Sequence, residues 1–252
     1  GACLQGVDAR QTGQCDAFFA LVRPPGHHAL ADRAAGFCIF NNIAIAARYA
    51  MERYGLEGIL IIDWDIHHGN GIHDIFYEDP HVFYLSTHDL MLYPYSGALE
   101  ETGRGKGTGY TMNIPLDRDA TENDILYLYA EMLPLIFKGF KPAMVMVAAG
   151  FDAHSDDPIG RSRWSTSIYG GITHLLCRLR LELKPPAPLL FSLEGGYDPS
   201  SLNASVKAVL AALLKDVEPE KPEIPGAPPS PAMRDLVEKI RMIHSPLGVL
   251  ND

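Results

Sequence analysis

Cysteine is scarce, with four residues in 252, and Cys3, Cys15, Cys38 and Cys177 form no Cys-x-x-Cys pair. This excludes a disulfide scaffold and points to a reducing compartment, so a cytoplasmic location is expected. The chain starts at Gly1 rather than Met, so any targeting segment further upstream lies outside this reading. Apolar runs are short and broken by charged or turn residues, and none approaches the roughly 20 residues of a membrane helix. Basic residues are in deficit, 21 Lys plus Arg against 31 Asp plus Glu for a net charge of −10, and they are scattered. A nucleic-acid partner is therefore not expected. What remains is an ordinary globular composition, 47% hydrophobic and 21% charged. A domain of this size buries roughly three quarters of its unfolded surface without staples.

Five short, nearly all-apolar runs read as buried strands: residues 17–22, 58–62, 82–85, 144–148 and 189–193. Residues 42–54, 122–137, 168–183 and 201–214 have helical spacing. Alternation of the two predicts an α/β fold around a mainly parallel sheet with helices on both faces. No repeat or second domain is evident, so residues 1–215 read as one domain. Residues 216–232 are rich in Pro and charge and read as an extended linker. Residues 233–252 read as a helical tail returning to the same domain, with Leu236, Ile240 and Ile243 on one face.

The polar residues cluster directly after the predicted strands. The runs lead into Arg23-Pro-Pro-Gly-His27-His28, into Asp63-Trp-Asp65-Ile-His67-His68-Gly-Asn70-Gly, into Ala149-Gly-Phe-Asp152 and into Glu194-Gly-Gly-Tyr197. Carboxyl ends of parallel strands open on a common crevice, so four sequence-distant sets converge there. Asp65 and His67, two apart on an extended chain, share a face and can grip one ion. Asp152 completes two oxygens and one nitrogen with open positions, the pattern of a catalytic zinc site. His27 and His28, fixed by a Pro-Pro-Gly turn, suit proton transfer near neutrality. Tyr197, after two glycines, can approach a polarised carbonyl.

His73, His81, His88, His154, His174 and His244 share no paired ligand spacing and read as structural or exposed. Asp156-Asp157-Pro158 reads as a turn or cap. The glycine-rich stretch 103–109 lacks the ending of a phosphate loop and reads as a mobile loop near the crevice.

Together with Gly36-Phe37-Cys38 and Phe40-Asn41-Asn42, these motifs resemble the zinc-dependent histone deacetylase and acetylpolyamine amidohydrolase superfamily over about residues 15–215, and the class II branch within it. The resemblance implies an arginase/deacetylase-like three-layer fold. It implies Zn²⁺ held by Asp65, His67 and Asp152, and a carbonyl-binding Tyr197. It makes His28 the general base and acid, His27 with Asp63 an electrostatic support, and Asn70 the group that orients His28. Gly36, Phe37, Tyr93 and Gly196 would line an acyl-lysine channel, the two glycines leaving it room. Asp63, Asp65, His67 and Ser86 match a potassium site of the family. Family domains carry more chain ahead of the tandem histidines than the 26 residues found before His27, so the chain reads as cut or as a short variant.

The activity so implied is removal of an acyl group, expected to be acetyl, from a lysine side chain or a polyamine by metal-activated water. Two rivals are a non-cleaving acyl-lysine binding module and a dimanganese ureohydrolase on the same fold; the second lacks bridging carboxylates. Ile159 stands where a polyamine-selective branch carries an acidic residue, which leans toward lysine.

Overall fold

The computed structural model describes residues 1–214 and 228–250. Most of the predicted linker, residues 216–227, therefore lies outside the described residues. The chain divides into two compact units, Gly1–Leu116 with Pro142–Gly150 and Ala187–Gly195, and Asp117–Lys141 with Phe151–Pro186 and Gly196–Asp252. It passes repeatedly from one to the other, so no composition shift marks a boundary.

The first unit carries the whole sheet. Its strands are β1 (Ala17–Ala20), β2 (Ile59–Asp63), β3 (Val82–His88), β4 (Thr111–Pro115), β5 (Met144–Ala149) and β6 (Leu189–Leu193). They lie in the order β1-β6-β5-β2-β3-β4, and every pairing is parallel. The connection runs outward from β2 through β3 to β4 on one side, and through β5 and β6 on the other. The break between β2 and β5 is the position where an open α/β sheet forms its crevice. All residues of β2, β3, β5 and β6 are buried, which explains why these strands read as continuous apolar runs rather than alternations.

Helices α1 (Ala2–Gln11), α2 (Asn42–Tyr54) and α3 (Asn70–Phe76) belong to this unit. One face of the sheet, with Ile59, Ile61, Val82, Tyr84, Met144, Met146, Ala148 and Leu190, packs with Val7 of α1, Ala44 and Ala47 of α2, and Ile72 and Phe76 of α3. The α2 boundaries are chemical. The Asn41 side chain accepts the Ala44 N–H, and Gly55 closes the helix in a left-handed conformation.

The second unit is helical, with α4 (Glu122–Phe140), α5 (Thr166–Glu182), α6 (Pro199–Leu214) and α7 (Pro231–His244). A reciprocal box between Thr121 and Asp124 starts α4. Ser230 caps α7 with Pro231 in its first turn. Within this unit, Ser230 N–H donates to Asp124 Oδ1 at 2.6 Å, and Arg241 pairs with Glu131 on α4. No described helix is long and apolar enough to cross a membrane.

Three elements depart from the sequence reading. Helix α1 and strand β4 have no counterpart in it, and neither does α3, which starts at Asn70 in the last two residues of the Asp63–Gly71 motif. The stretch 103–109 is no loop at the crevice. It holds a short 3-10 turn, Gly105–Gly107, anchored by Arg104 N–H to the Tyr77 carbonyl at 2.8 Å and Gly109 N–H to the Thr102 carbonyl at 2.7 Å. It leads into the start of β4, and strand starts in a parallel sheet lie opposite the carboxyl ends.

Candidate active site

Register brings Asp63 at the end of β2 level with Ala148 of β5 and Ser86 of β3. Chain leaving these ends carries the chemistry. Donor atoms of Asp65, His67 and Asp152 lie within 4.8 Å of one another, a spread that one ion with bonds of about 2.0–2.2 Å can draw together. Asp65 Oδ1 accepts from His67 N at 2.9 Å and faces His67 Nδ1 at 3.0 Å, while its Oδ2 accepts from Gly195 N at 2.8 Å. Burial alone would raise the Asp65 acid, but the His27 charge and His67 outweigh it and hold the carboxyl well below the usual range. A Cβ at Gly150 would stand 2.2 Å from Asp65 Oδ2, so the exit of β5 must be glycine for Asp65 to fit.

The two adjacent histidines are electrostatically unlike. His27 Nδ1 donates to Asp63 Oδ2 at 3.1 Å, and its Nε2 is 3.8 Å from Asp65 Oδ2. Burial favours the neutral ring, yet Asp65 and then Asp63 raise His27 to about 10, making it a cation. Burial and then the His27 charge depress His28 to about 3, so His28 is neutral. His28 Nδ1 faces Asn70 Oδ1 at 2.9 Å. An amide oxygen only accepts, so His28 carries its proton on Nδ1 and presents a bare Nε2.

Tyr93 stacks edge-on against His28, ring centroids 5.0 Å apart, and is 43% exposed, while Phe37 is 73% exposed. The glycines do not leave room as expected. At Gly36, φ is +52° and an added Cβ would stand 2.2 Å from the His28 ring, so the missing side chain is replaced by the imidazole. A Cβ at Gly196 would meet Leu202 and Phe151 at 3.1 Å. Ser86 Oγ is taken by His88 Nδ1 at 2.9 Å.

Some supporting residues have no assigned role in the sequence reading. Glu194 Oε2 accepts from Gly26 N at 2.6 Å and His27 N at 2.9 Å, tying the histidine loop to the end of β6. Tyr84 Oη donates to Asp63 Oδ2 at 3.0 Å. Asp157, which reads in the sequence only as a turn residue, accepts from Ile159 N at 2.9 Å and also from Tyr197 N at 2.6 Å, fixing the tyrosine backbone. The one signal available in the residues is a carboxylate ending an apolar strand, at Glu194. Of the histidines that read as structural, His88 bonds Ser86 and the Gly97 carbonyl, and His154 bonds Thr166 and Asp156 N.

A wholly parallel sheet with two carboxylates and an imidazole gathered at its carboxyl ends, beside paired histidines, places the chain among α/β proteins whose polar site lies at the strand ends. Among these, the histone deacetylase domain matches residues 1–213, and the chain belongs to that family. It is 39% identical over 231 residues to "Histone deacetylase 10, chloroplastic" of Oryza sativa subsp. japonica, covering 90% of this chain and 52% of that protein. It is 40% identical over 226 residues to "Polyamine deacetylase HDAC10" of Homo sapiens, covering 87% of this chain and 33% of that protein. The crystal structure of the HDA15 HD domain superposes with a TM-score of 0.86 at 34% identity, covering 97% of this chain and 67% of that one. This bears out the deacetylase-like α/β fold. The chain spans about half the length of the chloroplastic relatives, 52% and 54%.

Proposed function

We propose that this chain is a zinc-dependent amidohydrolase that removes an acetyl group from a lysine side chain or a polyamine. The observation that carries the reading is the meeting of Asp65, His67 and Asp152 within 4.8 Å, a mixed oxygen and nitrogen set with open positions, as catalytic zinc requires. Zinc held there supplies Lewis acidity toward the amide carbonyl and lowers the pKa of water. His28, with its proton on Nδ1, takes a proton from the attacking water at Nε2 and returns it to the leaving nitrogen. His27, charged and held by Asp63, places a fixed positive field beside that transfer, and Tyr197 donates its phenolic hydrogen to the developing oxyanion. A potassium ion near Asp63, Asp65, His67 and Ser86 is part of the same proposal.

The ureohydrolase rival needs further bridging carboxylates, which His68 and Asn70 do not supply, and Asn70 Oδ1 already faces His28. A binding module has no use for a charged and a neutral imidazole side by side. For the substrate, the names of relatives include both histone and polyamine deacetylases. Ile159, apolar and partly exposed, favours acetyl-lysine over a polycation.

Metal analysis combined with side-by-side assay of acetyl-lysine peptides and acetylpolyamines tests the proposal. Bound zinc that is lost in Asp152→Asn, with faster peptide turnover, is expected; zinc without turnover on either substrate overturns it. Tyr197→Phe should keep its zinc and lose about 10²–10³-fold in kcat, and unchanged turnover removes Tyr197 from the mechanism.

A further inference from the structure

A second constellation lies in the first unit. His27, Cys38 and Glu194 are all buried, and one donor atom from each lies within 4.8 Å of the others. Each is held by local structure. Cys38 sits in a two-residue bridge with Ala35, closed by Cys38 N to Ala35 O at 2.7 Å and Ala35 N to Cys38 O at 3.1 Å. His27 is oriented by Asp63 on Nδ1, leaving Nε2 as the ring nitrogen available to bind. Glu194 spends Oε2 on two backbone N–H groups, while its Oε1 is buried without a hydrogen-bond partner among the described residues.

An unsatisfied carboxylate oxygen in the interior is costly, and a nearby cation removes the cost. The donor types decide which cation. One sulfur, one imidazole nitrogen and one carboxylate oxygen suit a borderline or soft divalent ion and are wrong for magnesium or calcium, which take oxygen alone. The charges also match: a thiolate and a carboxylate together neutralise a divalent ion, and His27, once its Nε2 proton has been displaced, is a third, neutral ligand that leaves one position open. On binding, the Cys38 S–H bond and the Nε2–H bond of the charged His27 both break, the two protons pass to the buffer, and a sulfur–metal and a nitrogen–metal bond form.

We propose that His27, Cys38 and Glu194 form a second site for a zinc-class divalent cation, separate from the Asp65–His67–Asp152 set. Binding there does not depend on the amidohydrolase reading. Its consequence does rest on that reading: an ion on His27 removes the positive partner beside His28, so occupancy inhibits turnover.

Cadmium is the probe, because a cadmium–thiolate bond gives an ultraviolet charge-transfer band that carboxylate and imidazole ligands do not. Titrating the intact chain should give two bound equivalents, with the band accompanying one. Cys38→Ser should lose the band and one equivalent, and Asp152→Asn the other equivalent with the band intact. Glu194→Gln, which keeps the side-chain shape, should weaken the band-forming site about tenfold or more, the scale on which even supporting groups act at metal sites. No band in the unmodified chain, or a band that survives Cys38→Ser, overturns the site. Zinc beyond one equivalent should inhibit the unmodified chain and spare Cys38→Ser by about the same factor. A band without inhibition overturns the regulatory consequence alone, and absence of all turnover overturns the hydrolase reading while the band remains readable.

Discussion

Two buried histidines in different units meet burial in opposite ways. His27, at the carboxyl ends of the sheet, is surrounded by Asp63, Asp65 and Glu194 and is driven to the charged state, about 10. His244, in the last turn of α7, is 1% exposed, and neither ring nitrogen has a hydrogen-bond partner among the described residues. Burial alone depresses it to about 4. The contrast separates burial that merely silences a group from burial that organises one. Carboxylates drawn from the ends of separate strands are expensive to desolvate together, and a fold retains such a set when an ion or a reaction uses it. In the helical unit, Thr121, Asp124 and Ser230 are instead spent on helix ends.

The comparison is broken most forcefully at the end proposed to bind an ion. Asp152→Asn keeps size and polarity but removes one negative ligand. Loss of a Lewis-acid contribution of several kcal/mol predicts a fall in turnover of at least about a thousandfold, with loss of bound zinc. The measurement is metal content beside kcat on the same preparation. Full zinc with unimpaired turnover would show that the carboxylates at the strand ends are there for packing.

Much of that end is legible in the residues. A carboxylate or imidazole just after an apolar run is a local pattern, and Asp65, His67, Asp152 and the tandem histidines all have it. Strands β2, β5 and β6 are readable because parallel central strands are apolar on both faces. Strand β4 escapes such a reading because Thr111 and Asn113 interrupt its apolar sequence, although both are buried. Helix α1 escapes it because Arg, Gln and Asp residues leave it no clear apolar stripe. The hold of Glu194 on the Gly26 and His27 amides joins residues 168 apart, and no local pattern encodes such a pair. The same is true of Asp157 and the Tyr197 amide, 40 apart.

The silenced histidine predicts a pH dependence. The folded value, about 4, lies below the ordinary value near 6.5. The stability contribution of His244 is therefore complete above pH 6.5 and is lost as pH falls toward 4, amounting to about 2 kcal/mol by pH 5. Comparing denaturation midpoints at pH 7.5 and pH 5 for the unmodified chain and His244→Leu isolates this from other titrating groups. The variant should show the shallower loss. Parallel losses in the two proteins would mean that His244 finds a partner when protonated, and the contrast with His27 would weaken.

The smallest effect belongs to the helix ends. Thr121 Oγ1 accepts the Asp124 N–H at 3.2 Å, and Asp124 Oδ2 accepts the Thr121 N–H at 2.9 Å. The other Asp124 oxygen accepts from Ser230 at the start of α7. Thr121→Ala removes one arm of this box while leaving the Asp124 contacts to both backbone amides. The expected cost is about 1 kcal/mol, read as a lower urea midpoint with unchanged slope. Turnover should be unaffected, because Thr121 touches none of the groups gathered at the strand ends. A drop in kcat accompanying that small loss of stability would mean that the helical unit's caps help to set the reactive geometry, and the division between silencing and organising burial would have to be drawn elsewhere.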